Sequence, residues 1–285
     1  MNSVAWAISA NFSTSALLAS WLPYLILLSI VPENSTGSGK STLVNMILRF
    51  YDVTEGRVLV DGIDVRDVTQ HDLRDKIGYV PQQAVLFSGT IESNIKYGNQ
   101  EASTSEVEKF AGIAQATEFI STSDKGYATT VAQGGANLSG GQKQRLSIAR
   151  ALAKKPEIFI FDDSFSALDF KTDVALRKAL KQETGEATVL IVTQRVGQIM
   201  GADQIVVLED GRVAGIGTHL ELMKDSQVYR EIESPKPLNL RRTGLVVFVY
   251  SLVFTGAVSF LAVALIPDGV RPQFYDNLIS GITMH

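Results

Sequence analysis

Residues Asn34–Thr42 read NSTGSGKST. Gly39, Lys40 and Ser41 fall on the fixed places of the phosphate-binding pattern G-x-x-x-x-G-K-[ST]. The chemistry of such a loop explains its composition. Small residues let successive backbone N–H groups curl around phosphate oxygens. The lysine adds a point charge, the serine hydroxyl suits a magnesium ion, and the following helix aims its positive end at the anion. One position departs: Asn34 stands where the pattern has its first glycine, and asparagine tolerates a left-handed backbone better than most residues. Pro32 and Glu33, just before the loop, are poor material for the central strand expected to enter it.

Outward from this loop, short apolar runs alternate with helical patterns. Strands are expected at Arg57–Val60, Ile77–Pro81, Glu157–Phe161, Ala187–Val192 and Gln204–Leu208, and helices at Ser41–Phe50, Gln142–Lys154 and Thr172–Glu183. That alternation predicts an α/β domain with a largely parallel sheet. Length and composition agree. The chain has 285 residues, 45% hydrophobic and 20% charged, so it can bury a core and is not disordered. A net charge of -4 argues against a nucleic-acid footprint. The absence of cysteine excludes disulfides, thiolate metal sites and a thiol nucleophile. Three scattered histidines, His71, His219 and His285, do not make a histidine metal centre or a Ser-His-Asp triad. His219, in GTHLEL, reads as a helix-start residue.

Two further stretches carry chemistry. Ile158–Asp163, IFIFDD, is an apolar strand ending in two acids. In an open α/β sheet, the carboxyl end of a strand is where ligands bind. Asp162 is placed as a magnesium partner and Asp163 as a group that orients or activates water. Alone, the acid pair could equally cap a helix. Leu138–Gln142, LSGGQ, sets a serine and two glycines at a helix start, a second anion cradle or, more plainly, a capped helix.

Taken in order, TGSGKST, YVPQQ, LSGGQKQRLSIARAL, IFIFDDSFSALD and IVTQR resemble the nucleotide-binding domain of an ATP-binding cassette (ABC) transporter. VLFSGTIESNI at Val85–Ile95 is similar to the exporter branch. The resemblance covers about residues 33–233, some 70% of the chain. It implies a P-loop NTPase-type parallel-sheet core with a helical signature subdomain, with ATP and Mg²⁺ as ligands. By resemblance, Thr36, Gly37, Ser38, Gly39, Lys40, Ser41 and Thr42 hold the phosphates, and Ser41, Gln82 and Asp162 serve the metal. Leu138, Ser139, Gly140, Gly141 and Gln142 form the signature that clasps ATP on a partner domain. Ser166, Ala167, Leu168 and Asp169 form the loop that links the two sites.

The departures from the family pattern point one way. Asp163 stands where the family has a catalytic glutamate, one methylene longer, and a displacement of about 1 Å can cost about a hundredfold in rate. Gln194 stands where the family has a switch histidine; an amide can hydrogen-bond a phosphate but cannot become a cation. Gln133 replaces the glutamate usual before the signature. This pattern resembles the degenerate half of a heterodimeric exporter, whose partners are a second, catalytically complete nucleotide-binding domain and a membrane domain. That places the chain at the inner or plasma membrane with its ATP-binding domain cytoplasmic. Two other readings remain: a truncated remnant that binds nucleotide weakly or not at all, and a soluble ABC ATPase outside transport.

The flanks fit the resemblance less well. Residues 1–32 and 244–266 carry no charged side chain. Ala16–Val31, interrupted by Pro23, reads as a marginal membrane segment, an interfacial helix or a buried strand. No leading antiparallel strands or adenine-stacking aromatic are evident in residues 1–32, so the domain is expected to be incomplete at its N-terminus. Residues 235–243 read as a linker. Gly244–Ile266 reads as a membrane helix, which would span about 34 Å and so a membrane core, or as a buried hairpin of apolar strands rich in valine and phenylalanine. Arg241 and Arg242 precede it, placing the domain on the cytoplasmic side, and 267–285 form a tail.

Overall fold

A computed structural model describes residues 7–9, 24–29, 40–185, 187–209 and 211–233. The strands are β1 (Ala7–Ser9), β2 (Tyr24–Ser29), β3 (Arg57–Val60), β4 (Ile63–Asp64), β5 (Ile77–Val80), β6 (Gly89–Thr90), β7 (Thr130–Val131), β8 (Ile158–Asp162), β9 (Thr188–Thr193), β10 (Gln204–Glu209) and β11 (Arg212–Gly217). The helices are α1 (Lys40–Ile47), α2 (Gln70–Asp75), α3 (Ile91–Lys96), α4 (Thr104–Ile113), α5 (Thr117–Ser121), α6 (Gly140–Ala153), α7 (Phe170–Glu183), α8 (His219–Asp225) and α9 (Gln227–Glu233).

Six strands form the main sheet in the order β11-β10-β2-β9-β8-β5. All neighbours are parallel except β10 and β11, which are antiparallel. Parallel strands covered on both faces are apolar along their whole length, and β8 and β9 are buried at every residue. The alternation of the pleat then sorts the side chains. Ile158 and Ile160 of β8 pack with Val44 and Ile47 of α1, whereas Phe159 and Phe161 join Leu146 and Ile148 of α6 and Leu176 of α7. Each such large apolar side chain, fully buried, contributes roughly 2 kcal/mol.

Two stretches of the N-terminal segment are strands of this domain. β2 lies inside the main sheet between β9 and β10, and β1 pairs antiparallel with β3, which also pairs with β4. Of the three readings of Ala16–Val31, the strand therefore holds for Tyr24–Ser29. It ends at Ser29, before Pro32 and Glu33, so those residues do not interrupt it. The remainder of 1–32, the linker, Gly244–Ile266 and the tail lie outside the described residues. Among the described residues, which do not include Gly244–Ile266, no helix is long and apolar enough to cross a membrane.

Helix α6 organises the lobe beside the sheet. Ser139 caps it: Ser139 Oγ accepts from Gln142 N at 3.2 Å, and Gln142 Oε1 accepts from Ser139 N at 2.9 Å. This reciprocal pair satisfies N–H groups that a helix start leaves orphaned. Alanines at 149, 151 and 153 allow close approach by neighbours, and left-handed Lys155 (φ 52°) followed by Pro156 ends the helix. Arg150, largely buried, donates to Asn94 O, Asn94 Oδ1 and Val85 O at 2.8–3.0 Å and lies over Phe87 and Tyr97. It thereby fixes the 85–97 segment against α6. Gly98 is required there, because a Cβ would fall 2.1 Å from Arg150 O.

Candidate nucleotide site

The carboxyl ends of β5, β8 and β9 face one edge of the sheet. Chain order delivers Lys40 at the start of α1, Gln82 just after β5, Asp162 and Asp163 at the end of β8, and Gln194 just after β9. This is the edge at which open α/β sheets bind ligands.

Lys40 is half-buried, and its ammonium nitrogen has no hydrogen-bond partner among the described residues. Burial lowers its pKa, while Asp163 and Asp162 pull it back up. Asp162 is 5% exposed. Burial raises its pKa, opposed by a hydrogen bond from Ser41, and the neighbouring Asp163 raises it further. Tyr79 Oη approaches Asp162 Oδ2 at 3.5 Å, the outer limit of a hydrogen bond. Burial and that carboxylate push the phenol up to about 12. A buried ammonium without a partner and a desolvated carboxylate are both costly. An anion at Lys40 and a cation at Asp162 would relieve both costs.

Asp163 begins the turn out of β8. Its backbone is left-handed (φ 45°), a conformation aspartate tolerates better than most side chains, and its N–H bonds Val192 O at 2.9 Å. Gln82 Nε2 donates to Asp163 Oδ2 at 3.2 Å. Ser166 Oγ donates to Asp163 O at 2.8 Å, and Asp169 accepts Thr172 N to cap α7. Leu168 is buried, and the Ala167 carbonyl lies where a Cβ on Gly141 would come within 3.1 Å. The loop from Ser166 to Asp169 thus runs from Asp163 to the signature.

The structure therefore brings Lys40, Ser41, Gln82, Asp162 and Asp163 together. Thr42 is exposed on α1, and Gln194 is exposed beyond β9, outside the hydrogen bonds that join that group. Thr36, Gly37, Ser38 and Gly39 lie outside the described residues. Ser139 and Gly140 are exposed at the α6 start, where a Cβ on Gly140 would meet nothing within 4 Å; Leu138 packs against the core. Tyr79, through its contact with Asp162, is part of the site. Gln144 and Ser164 were not anticipated: both are buried and donate to the backbone just before Gln82. Gln144 stands in the polar run Gln142–Arg145, so nothing in the sequence set it apart from its neighbours. Among the described residues no three His, Cys, Asp or Glu side chains gather as a metal cluster. The donor set fits a magnesium ion held by Ser41 and Asp162 and completed by phosphate oxygens and water.

Residues 34–166 match the family model described as ABC transporter. They are an ABC transporter ATP-binding domain. This ATP-binding domain is homologous to the nucleotide-binding domains of ABC exporters. An uncharacterized ABC transporter ATP-binding protein of Mycobacterium bovis is 48% identical over 208 residues, which is 72% of this chain and 35% of that protein. A Bacillus subtilis protein named as a multidrug export ATP-binding/permease protein is 44% identical over 204 residues, 72% of this chain and 35% of its own length. The solved structure of a bacterial Atm1-family ABC exporter with ATP bound superposes with a TM-score of 0.71 at 36% identity, over 81% of this chain and 40% of that one. The chain spans about a third of the length of the curated relatives it matches.

Proposed function

We propose that this chain is an ATP-binding subunit of an exporter-type ABC transporter. It binds ATP with magnesium at the Lys40–Asp162 edge. It presents Ser139–Gln142 to complete the ATP site of a second nucleotide-binding domain, and it hydrolyses ATP slowly or not at all at its own site. The observation that carries this reading is the half-buried Lys40 beside Asp162, whose ammonium has no hydrogen-bond partner among the described residues. A γ-phosphate would give Lys40 its missing acceptor. Magnesium, when bound, would neutralise phosphate charge; Ser41 and Asp162 are the residues to hold it.

The slow-site part of the proposal rests on residue chemistry. Asp163 can orient water only within the reach of its short side chain, and its carboxylate already accepts from Gln82. Gln194 can donate one amide hydrogen bond to a phosphate but brings no positive charge to the developing anion. The second, complete domain, the membrane domain, the membrane location and a cytoplasmic orientation belong to the same proposal. The named functions of the relatives support it: one is named for multidrug export with ATP-binding and permease parts, and another is an exporter with ATP bound.

Reversal of both departures tests the slow site. Asp163→Glu with Gln194→His should raise the ATP turnover of the full chain by about a hundredfold, with ATP affinity little changed. Unchanged turnover in a variant that still binds ATP would contradict the assignment of these two positions.

A further inference from the structure

Strand β5 stops where its chemistry stops. Its pairing with β8 ends at Val80 opposite Phe161, and Pro81 has no N–H to continue the ladder. The carbonyls at that end then need donors from elsewhere. Two side chains supply them. Ser164 Oγ donates to Val80 O at 2.8 Å, and Gln144 Nε2 donates to Pro81 O at 3.0 Å. Ser164 directly follows Asp163. Gln144 belongs to α6, about a turn and a half from the capping Ser139.

Gln144 is 2% exposed, with Leu146, Ile148 and Ala149 following it in the core. A buried amide is tolerated only where it is hydrogen-bonded, and an apolar side chain of the same size would fill the space without that demand. What the amide adds is the grip on Pro81. The next residue is Gln82, whose own amide donates to Asp163 at 3.2 Å. A continuous set of contacts therefore runs from Asp163 through Gln82 and the Pro81 carbonyl into the helix that carries Ser139–Gly141. A separate path runs through Ser166 and Ala167 to Gly141, by a hydrogen bond to Asp163 O and then by packing.

We infer that Gln144 is a positioning residue that ties the Gln82 backbone to the signature helix. Through that tie, occupancy of the nucleotide edge changes the order of the surface offered to a partner domain. The inference rests on the ATP-binding reading above. It assigns to one hydrogen bond a coupling that packing of α6 alone would not give.

The test is hydrogen–deuterium exchange on the full chain, with and without ATP and magnesium. In the wild type, ATP should slow exchange in residues 82–84 and in 138–145. Gln144→Met keeps the side-chain volume and removes the donor. It should bind ATP with unchanged affinity, keep the protection of 164–169, and lose about fivefold of the protection gained at 138–145. Ile148→Val, a buried change on the same helix away from Pro81, should lower thermal stability yet keep the full response. A Gln144→Met chain with an undiminished response overturns the inference. So does an Ile148→Val chain with an equal loss, because helix stability alone would then explain the effect. If the wild type binds ATP no better than Lys40→Ala, the ATP-binding reading itself falls, and the coupling falls with it.

Discussion

The nucleotide edge and the signature turn are both helix starts surrounded by small and polar residues, yet they differ in what they lack. At the nucleotide edge, Lys40 Nζ is buried with no hydrogen-bond partner among the described residues, Asp162 has a raised pKa, and Tyr79 reaches it at the limit of a hydrogen bond. At the signature, Ser139 and Gln142 satisfy each other reciprocally, Gly140 faces open space, and Gly141 packs on Ala167. One region is costly until something binds it. The other is complete alone and presents a smooth, exposed turn. The difference supports the proposal that the first is a ligand site of this chain and the second a preformed surface for a ligand held elsewhere.

The largest expected effect tests the preformed surface. Gly140→Ala adds a methyl group where no described residue of this chain lies within 4 Å. Thermal stability and ATP binding at Lys40 should stay unchanged. The ATPase activity of a mixture with a catalytically complete relative should fall by about a hundredfold, because the methyl intrudes on the partner's phosphate. Unchanged activity in the mixture would remove the functional half of the comparison.

Asp162→Asn probes the costly edge. The fold raises the pKa of Asp162, so the fold favours its protonated form. That contribution is present below the ordinary carboxylate pKa and is lost as pH rises through the raised value. At neutral pH the ionised group is therefore a cost. The asparagine variant should melt higher than wild type in magnesium-free buffer at neutral pH. The gap should close as pH falls toward the ordinary carboxylate range. Its ATP binding should no longer strengthen when magnesium is added. A lower melting temperature at neutral pH would show that the edge is already satisfied.

The smallest effect is a local one. Gln142→Ala removes the acceptor for Ser139 N–H and should cost about 1 kcal/mol, with the ATP affinity at Lys40 intact. A cost near zero, read from denaturant unfolding, would mean that solvent already serves that N–H.

Much of this arrangement was legible in the sequence, for physical reasons. Strand β3 matches the apolar run that ends at the Asp61-Gly62 turn, and β5, β8, β9 and β10 lie within two residues of theirs because a covered parallel strand must be apolar throughout. The same property hid β2. YLILLS has no alternation to distinguish a strand from a helix, and its neighbour Pro23 and the later Pro32 weaken a strand reading. Strand β11, RVAGIG, was missed because its glycines obscure an alternation that the burial pattern reveals. At the site, Lys40, Ser41, Asp162 and Asp163 were legible because their spacing follows strand and helix ends. Gln144, Ser164 and the Tyr79 hydroxyl were not, because their roles depend on burial and on carbonyls left over where β5 meets Pro81.

The most direct test of the central claim is equilibrium binding of a fluorescent ATP analogue with magnesium to the full chain, paired with thermal melting of Lys40→Met. The account predicts micromolar binding that weakens by about a hundredfold in Lys40→Met. The ligand-free variant is also expected to melt no lower than wild type, because the removed ammonium is half-buried and has no hydrogen-bond partner among the described residues. Equal binding by both chains, with the variant melting lower, would contradict it.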